Sequence, residues 1–372
     1  MARVGWHMMT FNKLRLMATL LGVVFATILA NQAIGTLFGL IDKFAMIVRR
    51  TDADIWIVPH GTQVLSGGKA ISMAAVGTAR AQEGVSIAMP LLFTGGSIKL
   101  PNGGAEPLQI VGSAAPHYLG GPWNIVQGSI DAMGRGNSII LEDSERETLG
   151  QVNLGSRREI NDRLTTVVGF TYGLAGIGAT YAFTEFEYAR ELANVARDQT
   201  SFGLVKVKPG YDLEEVRARL EKAIPDATVL TRAQFDLMLT TNLLRVTPIG
   251  ITFSAIAAFG VFIGFIIVSL SIFSAVSDNL REFGTLKAVG ARSSDLGLLL
   301  FAQSIAYGIL GSVVGLGAVS AIAKAIGSAK LFIVIAPWMI FGSMALMTGM
   351  CMAAALISLV RLWRVEPGMV FR

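Results

Sequence analysis

The sequence is poor in the residues that build catalytic and metal sites. Its 372 residues include one cysteine, Cys351, and three histidines, His7, His60 and His117. A single cysteine excludes a disulfide framework and any cysteine-based zinc or iron–sulfur centre, and the histidines are too scattered for a metal motif. Charge is scarce too. Asp, Glu, Lys and Arg make up 15% of the chain, against about 25% in a typical soluble domain. No lysine is followed by serine or threonine, so a G-x-x-x-x-G-K-[ST] loop is absent and with it the P-loop route to ATP hydrolysis. H-E-x-x-H and G-x-S-x-G are missing as well. The Gly173–Gly178 stretch has no strand–helix context for a dinucleotide and reads as a loop.

Apolar residues are abundant. Hydrophobic side chains reach 52% and the mean hydropathy is +0.57. Four runs contain no Asp, Glu, Lys or Arg: Leu16–Ile41, Val246–Ser277, Leu296–Ala323 and Leu331–Val360. Each exceeds the ~20 residues that a helix needs to cross ~30 Å of hydrocarbon. The second run, with Thr247-Pro248 at its start, is long enough to project beyond the bilayer as a stalk. The first follows Arg3, Lys13 and Arg15 but is longer than the 7–15-residue core of a signal peptide and ends in no Ala-x-Ala site, so it reads as a retained helix.

Between Arg49 and Arg245 acidic residues slightly outnumber basic ones, whereas the flanks of the apolar runs are strongly basic. Such a distribution encodes topology rather than nucleic-acid binding. Arg3, Lys13, Arg15, Arg281, Lys287, Arg292, Arg361, Arg364 and Arg372 fall on one side; only Lys324 and Lys330 flank the loop between spans three and four. Lys43, Arg49 and Arg50 oppose the trend, but they begin a long domain, where the rule counts little. Both termini and the loop between spans two and three are therefore expected in the cytoplasm. The expected division is residues 1–44 for the N-terminus and first span, 45–245 for an extracytoplasmic domain, 246–277 for span two with its stalk, 278–295 for a cytoplasmic loop, 296–323 and 331–360 for spans three and four, and 361–372 for the tail.

The extracytoplasmic stretch has the pattern of an α+β domain. Short β-rich runs at Asp54–Val58, Leu108–Val111, Ser138–Leu141, Leu164–Phe170 and Leu204–Val207 are separated by turns such as Pro101-Asn102-Gly103-Gly104. Asp212-Leu213-Glu214-Glu215 forms a capping box and opens a helix to Ala223, with Leu213, Val216, Leu220 and Ile224 at helical spacing. Two sub-blocks follow: an inner one joining residues 53–82 to 201–230, and one inserted at about 90–197. Lys206, Lys208 and Arg219 read as solvated surface.

Inside the spans, Gly35, Gly39, Gly260 and Gly264 form G-x-x-x-G pairs suited to packing between copies of the chain, as does the Gly311/Gly315 pair for close helix approach in general. Asn31 and Gln32 are amides deep in span one, candidates for facing substrate or for structural hydrogen bonds. The residues from Ser277 to Arg292 fit a short amphipathic helix with Phe283, Leu286 and Val289 on one face and Gly290 ending it. Such a helix lies on lipid or docks in a partner's groove.

That segment carries a resemblance. Arg281-Glu282-Phe283-Gly284-Thr285-Leu286-Lys287-Ala288-Val289-Gly290 resembles the R-E-x-x-x-L-K-A-x-G signature of the FtsX/MacB-type, or type VII, ABC transporter permeases. The order of one span, a large domain and three spans is similar to that family over the whole chain. Asp54–Pro59 after span one, Thr247–Gly250 entering span two and the Val365–Arg372 tail most resemble its DevC-type exporter permeases; His60 departs by standing where a basic residue is expected. The resemblance implies an α-helical membrane protein with four spans and an α+β extracytoplasmic domain after the first. It implies a multi-pass protein of a bacterial inner membrane, working as a homodimer without its own ATPase site. ATP and Mg would be bound by two copies of a separate ABC ATPase, coupled through Arg281, Glu282, Phe283, Leu286, Lys287, Val289 and Gly290. It further implies export of a lipid-like substrate by mechanotransmission to a periplasmic adaptor and a TolC-like outer-membrane duct. The alternatives are lipoprotein extraction in the manner of LolC/LolE, FtsX-like control of a cell-wall hydrolase, or a membrane-embedded enzyme, for which the spans hold few acid or base groups.

Overall fold

The computed structural model describes residues 13–65, 69–174, 176, 178–245, 248–278, 293–325 and 336–363. Contacts divide the chain into two units: residues 1–39, 248–327 and 331–372, and residues 40–247 with 328–330.

Helix α1 (Lys13–Arg50) belongs to the first unit as far as Gly39 and to the second from Leu40. It continues past the charge-free run because Ala45, Met46, Ile47 and Val48 bury in the core of the second unit. Thr51 closes it: its backbone N–H and its Oγ1 both donate to the Ile47 carbonyl, at 3.0 and 2.6 Å.

The second unit continues with β1 (Ile55–Pro59), β2 (Ile71–Ser72), α2 (Met73–Arg80), β3 (Val85–Lys99), β4 (Ala105–Ser113), β5 (Ile125–Gly128), β6 (Ser138–Glu142), β7 (Arg157–Ile160), β8 (Arg163–Thr171) and β9 (Thr180–Glu185). Then come α3 (Phe186–Ala193), β10 (Gln199–Thr200), β11 (Phe202–Val207), α4 (Leu213–Ala223), β12 (Ala227–Thr231) and α5 (Arg232–Arg245). Its main sheet runs β12-β1-β11-β3-β4-β9-β6-β8-β5, with β7 against β3 and β8.

Strand β3 joins two sub-blocks. Its first half, to Leu91, pairs with β11; from Leu91 to Lys99 it pairs with β4. Ile55, Ile57, Val76, Val205, Val216 and Leu220 make a core on the inner part, and Leu108, Ile110, Ile139, Val167, Phe170 and Phe186 one on the inserted part. Trp56, Phe93, Phe183, Phe202 and Phe235 gather with Ile47 in a third cluster. Asp212 caps α4 as its sequence requires, its carboxylate accepting from the Glu215 N–H at 2.9 Å.

The first unit contains α1 to Gly39, α6 (Pro248–Asp278), α7 (Ser293–Ala325) and α8 (Pro337–Trp363). All four helices are long and apolar enough to cross a membrane. Pro248 starts α6 at the one helical turn that tolerates a missing N–H. The chain is thus a four-span membrane protein with a large α+β domain between spans one and two, the architecture that the sequence leads one to expect.

Candidate functional site

Within the first unit the glycines decide how the helices meet. A Cβ built on Gly260 would lie 2.9 Å from Leu29 Cβ, and one on Gly264 would overlap Ala26. On α7, Gly311 and Gly315 are as tightly filled by Val23 (2.5 Å) and Thr27 (2.6 Å). Helix α1 therefore wedges against both α6 and α7 through Cβ-less faces, and α7 meets α8 where Gly308 faces Thr348 at 2.6 Å. Gly260 and Gly264, expected from sequence to face a second copy, spend their close approach on α1 of the same chain. Gly35 and Gly39 are buried.

Several polar groups of the bundle are satisfied within their own helices. Thr27 Oγ1 donates to the Val23 carbonyl at 2.7 Å and Asn31 Nδ2 to the Thr27 carbonyl at 2.8 Å, with Asn31 only 2% exposed. Ser304, Ser312 and Ser358 likewise return their hydroxyls to carbonyls four residues back. In hydrocarbon an unpaired polar group costs several kcal/mol, so this bonding is the structural one of the two roles open to Asn31. Gln32 is half-buried. Phe38 and Trp338 meet edge to face, centroids 5.3 Å apart, as interfacial aromatics do near the end of a span.

The segment from Arg281 to Gly290, with Glu282, Phe283, Leu286, Lys287 and Val289, lies outside the described residues. Among the described residues no group of His, Cys, Asp and Glu could hold a metal ion.

Sequence reasoning treated Lys43 only as a topology marker and did not single out Glu142. In the second unit they belong to one network. Glu142 is wholly buried, and each oxygen takes two donors: Oε1 from Ser144 Oγ (2.9 Å) and Gly173 N (2.7 Å), Oε2 from Thr171 Oγ1 (3.1 Å) and Leu174 N (3.1 Å). Lys43 Nζ donates to the Gly173 carbonyl at 2.9 Å. The only signal in the sequence is a lone lysine just after an apolar run, which is also how a membrane anchor looks. Lys206, expected as solvated surface, pairs with Asp52 (2.6 Å) and Asp54 (3.5 Å); the Asp52 hydrogen bond is the chief cause that raises its ammonium above the usual lysine range. His60 is occupied at both ring nitrogens, by Thr228 Oγ1 and the Pro225 carbonyl at 2.9 Å each. Arg219 bonds the Glu83 carbonyl at 2.7 Å.

The family comparison agrees with this architecture. Residues 16–223, more than half of the chain, match the MacB-like periplasmic core domain, and residues 254–367 match the FtsX-like permease C-terminal domain. An uncharacterised ABC transporter permease of Methanocaldococcus jannaschii is 29% identical over 122 residues, which span 31% of this chain and 30% of that relative. Similar solved structures include the periplasmic region of MacB from Actinobacillus actinomycetemcomitans (12% identity, TM-score 0.38, covering 52% of this chain and 95% of that one). Another is the extracellular domain of the noncanonic ABC-type transporter YknZ from Gram-positive bacteria (10% identity, TM-score 0.37, covering 48% and 98%). With a core-domain match over most of its first half and a permease match over its last three helices, the chain belongs to the FtsX/MacB-type family of ABC transporter permeases.

Proposed function

We propose that this chain is the membrane subunit of an ATP-driven exporter that moves a lipid-like substrate by mechanical transmission. The observation that carries the reading is the unbroken course of α1. One helix supplies Val23, Ala26 and Ala30 to the core of the membrane unit and Met46, Ile47 and Val48 to that of the α+β unit. Its far end is also held by Arg49, which pairs with Asp236 of α5 at 2.8 Å. A stiff element rooted in two cores is suited to passing displacement from one to the other.

ATP and Mg would reach the machine through a separate ABC ATPase, two copies against a homodimer of this chain in a bacterial inner membrane. The Arg281–Gly290 segment would dock on that ATPase, with Phe283, Leu286 and Val289 as apolar anchors and Glu282 and Lys287 setting register. Gly35 and Gly39 remain candidates for packing between copies, joined by the broad apolar face of α6, of which Phe259, Phe262 and Leu270 are exposed. A periplasmic adaptor and an outer-membrane duct would receive the substrate.

Ile41→Gly with Asp42→Gly tests the reading in proteoliposomes containing the ATPase. Softening α1 at that point should leave basal ATP hydrolysis intact and abolish export. Export at the normal rate would overturn mechanical transmission through α1.

A further inference from the structure

In the second unit, α1 is tied to the inserted sub-block across a single peptide group. Lys43 Nζ donates to the Gly173 carbonyl at 2.9 Å. The N–H of that same peptide unit belongs to Leu174 and donates to Glu142 Oε2 at 3.1 Å. The N–H one residue earlier, that of Gly173, donates to Glu142 Oε1 at 2.7 Å. A peptide is planar, and in its trans form the C=O and the N–H point to opposite sides. The Gly173–Leu174 peptide therefore stands as a stiff strut, with an ammonium at one end and a carboxylate at the other. Polarisation from both ends strengthens the two bonds together.

The sheet end of the strut has no slack. Glu142 closes β6 and lies opposite Thr171 of β8 in the register of that pair, and Thr171 Oγ1 donates to it at 3.1 Å. Leu174 is buried in the cluster that also holds Ile140 of β6. Gly173 makes the turn between them. Its φ of +90° strains any side chain, although a Cβ there would meet nothing within 4 Å, so glycine serves the backbone and not the space. Of the two carboxylates whose charge acts on Lys43, Asp42 lies on α1 itself and pairs with Arg49 at 2.9 Å. Glu142 is the one that belongs to the sheet.

At the α1 end, apolar packing is incomplete. A cavity of about 70 Å³ is lined by Lys43 and Phe44 of α1 and by Phe93, Gln109 and Tyr181 of the sheet. Dispersion contact fades within an ångström of gap, so a void weakens the grip of packing on α1 at this level. The tighter hold, through Met46, Ile47 and Val48, comes a turn later. We infer that Lys43 is the positioning residue that passes displacement of α1 to the inserted sub-block. It would do so by pulling on the Gly173–Leu174 peptide, and through it on Glu142 and the ends of β6 and β8. The inference rests on the reading that α1 transmits motion, and it adds the joint at which that motion enters the sheet. Without the Lys43 bond, Glu142 keeps its four donors, and α1 can move while the loop stays behind.

The experiment is hydrogen exchange at the Gly173 and Leu174 amides, in the full chain reconstituted with its ABC ATPase, with and without a non-hydrolysable ATP analogue. In the wild type the analogue should change their exchange rates by about tenfold, the scale of one charge-assisted hydrogen bond gained or lost. Lys43→Met keeps the aliphatic stem and removes the donor. It should abolish that response and reduce export in proteoliposomes, while Tm and basal ATP hydrolysis stay as they were. Lys43→Arg should restore the response. An equal response in wild type and Lys43→Met overturns the joint, and a lowered Tm beside that equal response would mark Lys43 as a structural tie only. A wild type whose exchange changes elsewhere in the α+β domain but not at these two amides also overturns it. That arm needs no variant, and it leaves transmission through α1 standing. Export with no change anywhere in the α+β domain would sink mechanical transmission itself, and the joint with it.

Discussion

The carboxylate of Glu142, wholly buried at the end of β6, accepts the backbone N–H of Gly173 at 2.7 Å across 31 residues of sequence. Three more donors complete its shell, so the loop after β8 is held by a single acid. Removing a partner from a buried charged network leaves its donors dry, at about 3 kcal/mol or more. Glu142→Ala should therefore lower the apparent Tm of the purified chain by several degrees and expose the loop to protease. An unchanged Tm would mean that water replaces the carboxylate at no cost.

Glycine packing gives a second expectation. Leucine at Gly264 or Gly311 must displace Ala26 or Val23 of α1, and overpacking commonly costs about 1–3 kcal/mol. Gly264→Leu and Gly311→Leu should both reduce the yield of folded protein in detergent, to similar degrees. Gly349→Leu, where a Cβ meets nothing within 4 Å, is the control and should be tolerated. Loss of dimer without loss of folded monomer at Gly264 would instead assign it to contact between copies.

Tyr181 sets an alkaline signature. An unfolded tyrosine ionises near 10, whereas the buried phenol waits until about 12. Below pH 10 neither state ionises and the stability is fully present; between 10 and 12 only the unfolded chain releases its proton, so stability falls as pH rises. Burial also raises Tyr118 and Tyr188. Absorbance titration at the tyrosinate band should therefore show several of the six tyrosines ionising late, with a step near pH 12 from Tyr181. Tyr181→Phe should remove the step near pH 12; if that step persists, another phenol is responsible.

Energy input supplies a fourth expectation. Truncating a buried anchor commonly costs about 2 kcal/mol or more at an interface. Phe283→Ala with Leu286→Ala should release the ATPase from the complex or abolish substrate-stimulated hydrolysis while the chain stays folded. Exchanging Glu282 and Lys287 should be milder if both lie at the rim. Normal ATPase binding by the double variant would leave the segment as a helix lying on lipid.

Strand β3 shows where sequence pattern runs out. It is the longest strand among the described residues, yet Pro90, Gly95 and Gly96 interrupt it and mask it as a turn-rich loop. Those residues fit because β3 changes partner at Leu91 and because Ile110 comes within 2.5 Å of where a Gly96 Cβ would be. By contrast, α4 was legible from its Asp212 cap and helical spacing, since both signals are local.

The sequence by itself determined the four apolar spans, the placement of one large domain between the first two and the lack of a P-loop, because length, hydropathy and motif spacing are properties of the chain alone. Its family signature between Arg281 and Gly290 was legible in the same way. Only the tertiary structure decided that Gly260 and Gly264 meet Ala26 and Leu29, that Asn31 turns back to Thr27, and that Lys43 closes a cavity with Gln109 and Tyr181. These are relations between residues up to about 240 positions apart. Which small face meets which neighbour, and which polar group finds a partner, follows from packing and desolvation in three dimensions, and local pattern carries no record of either.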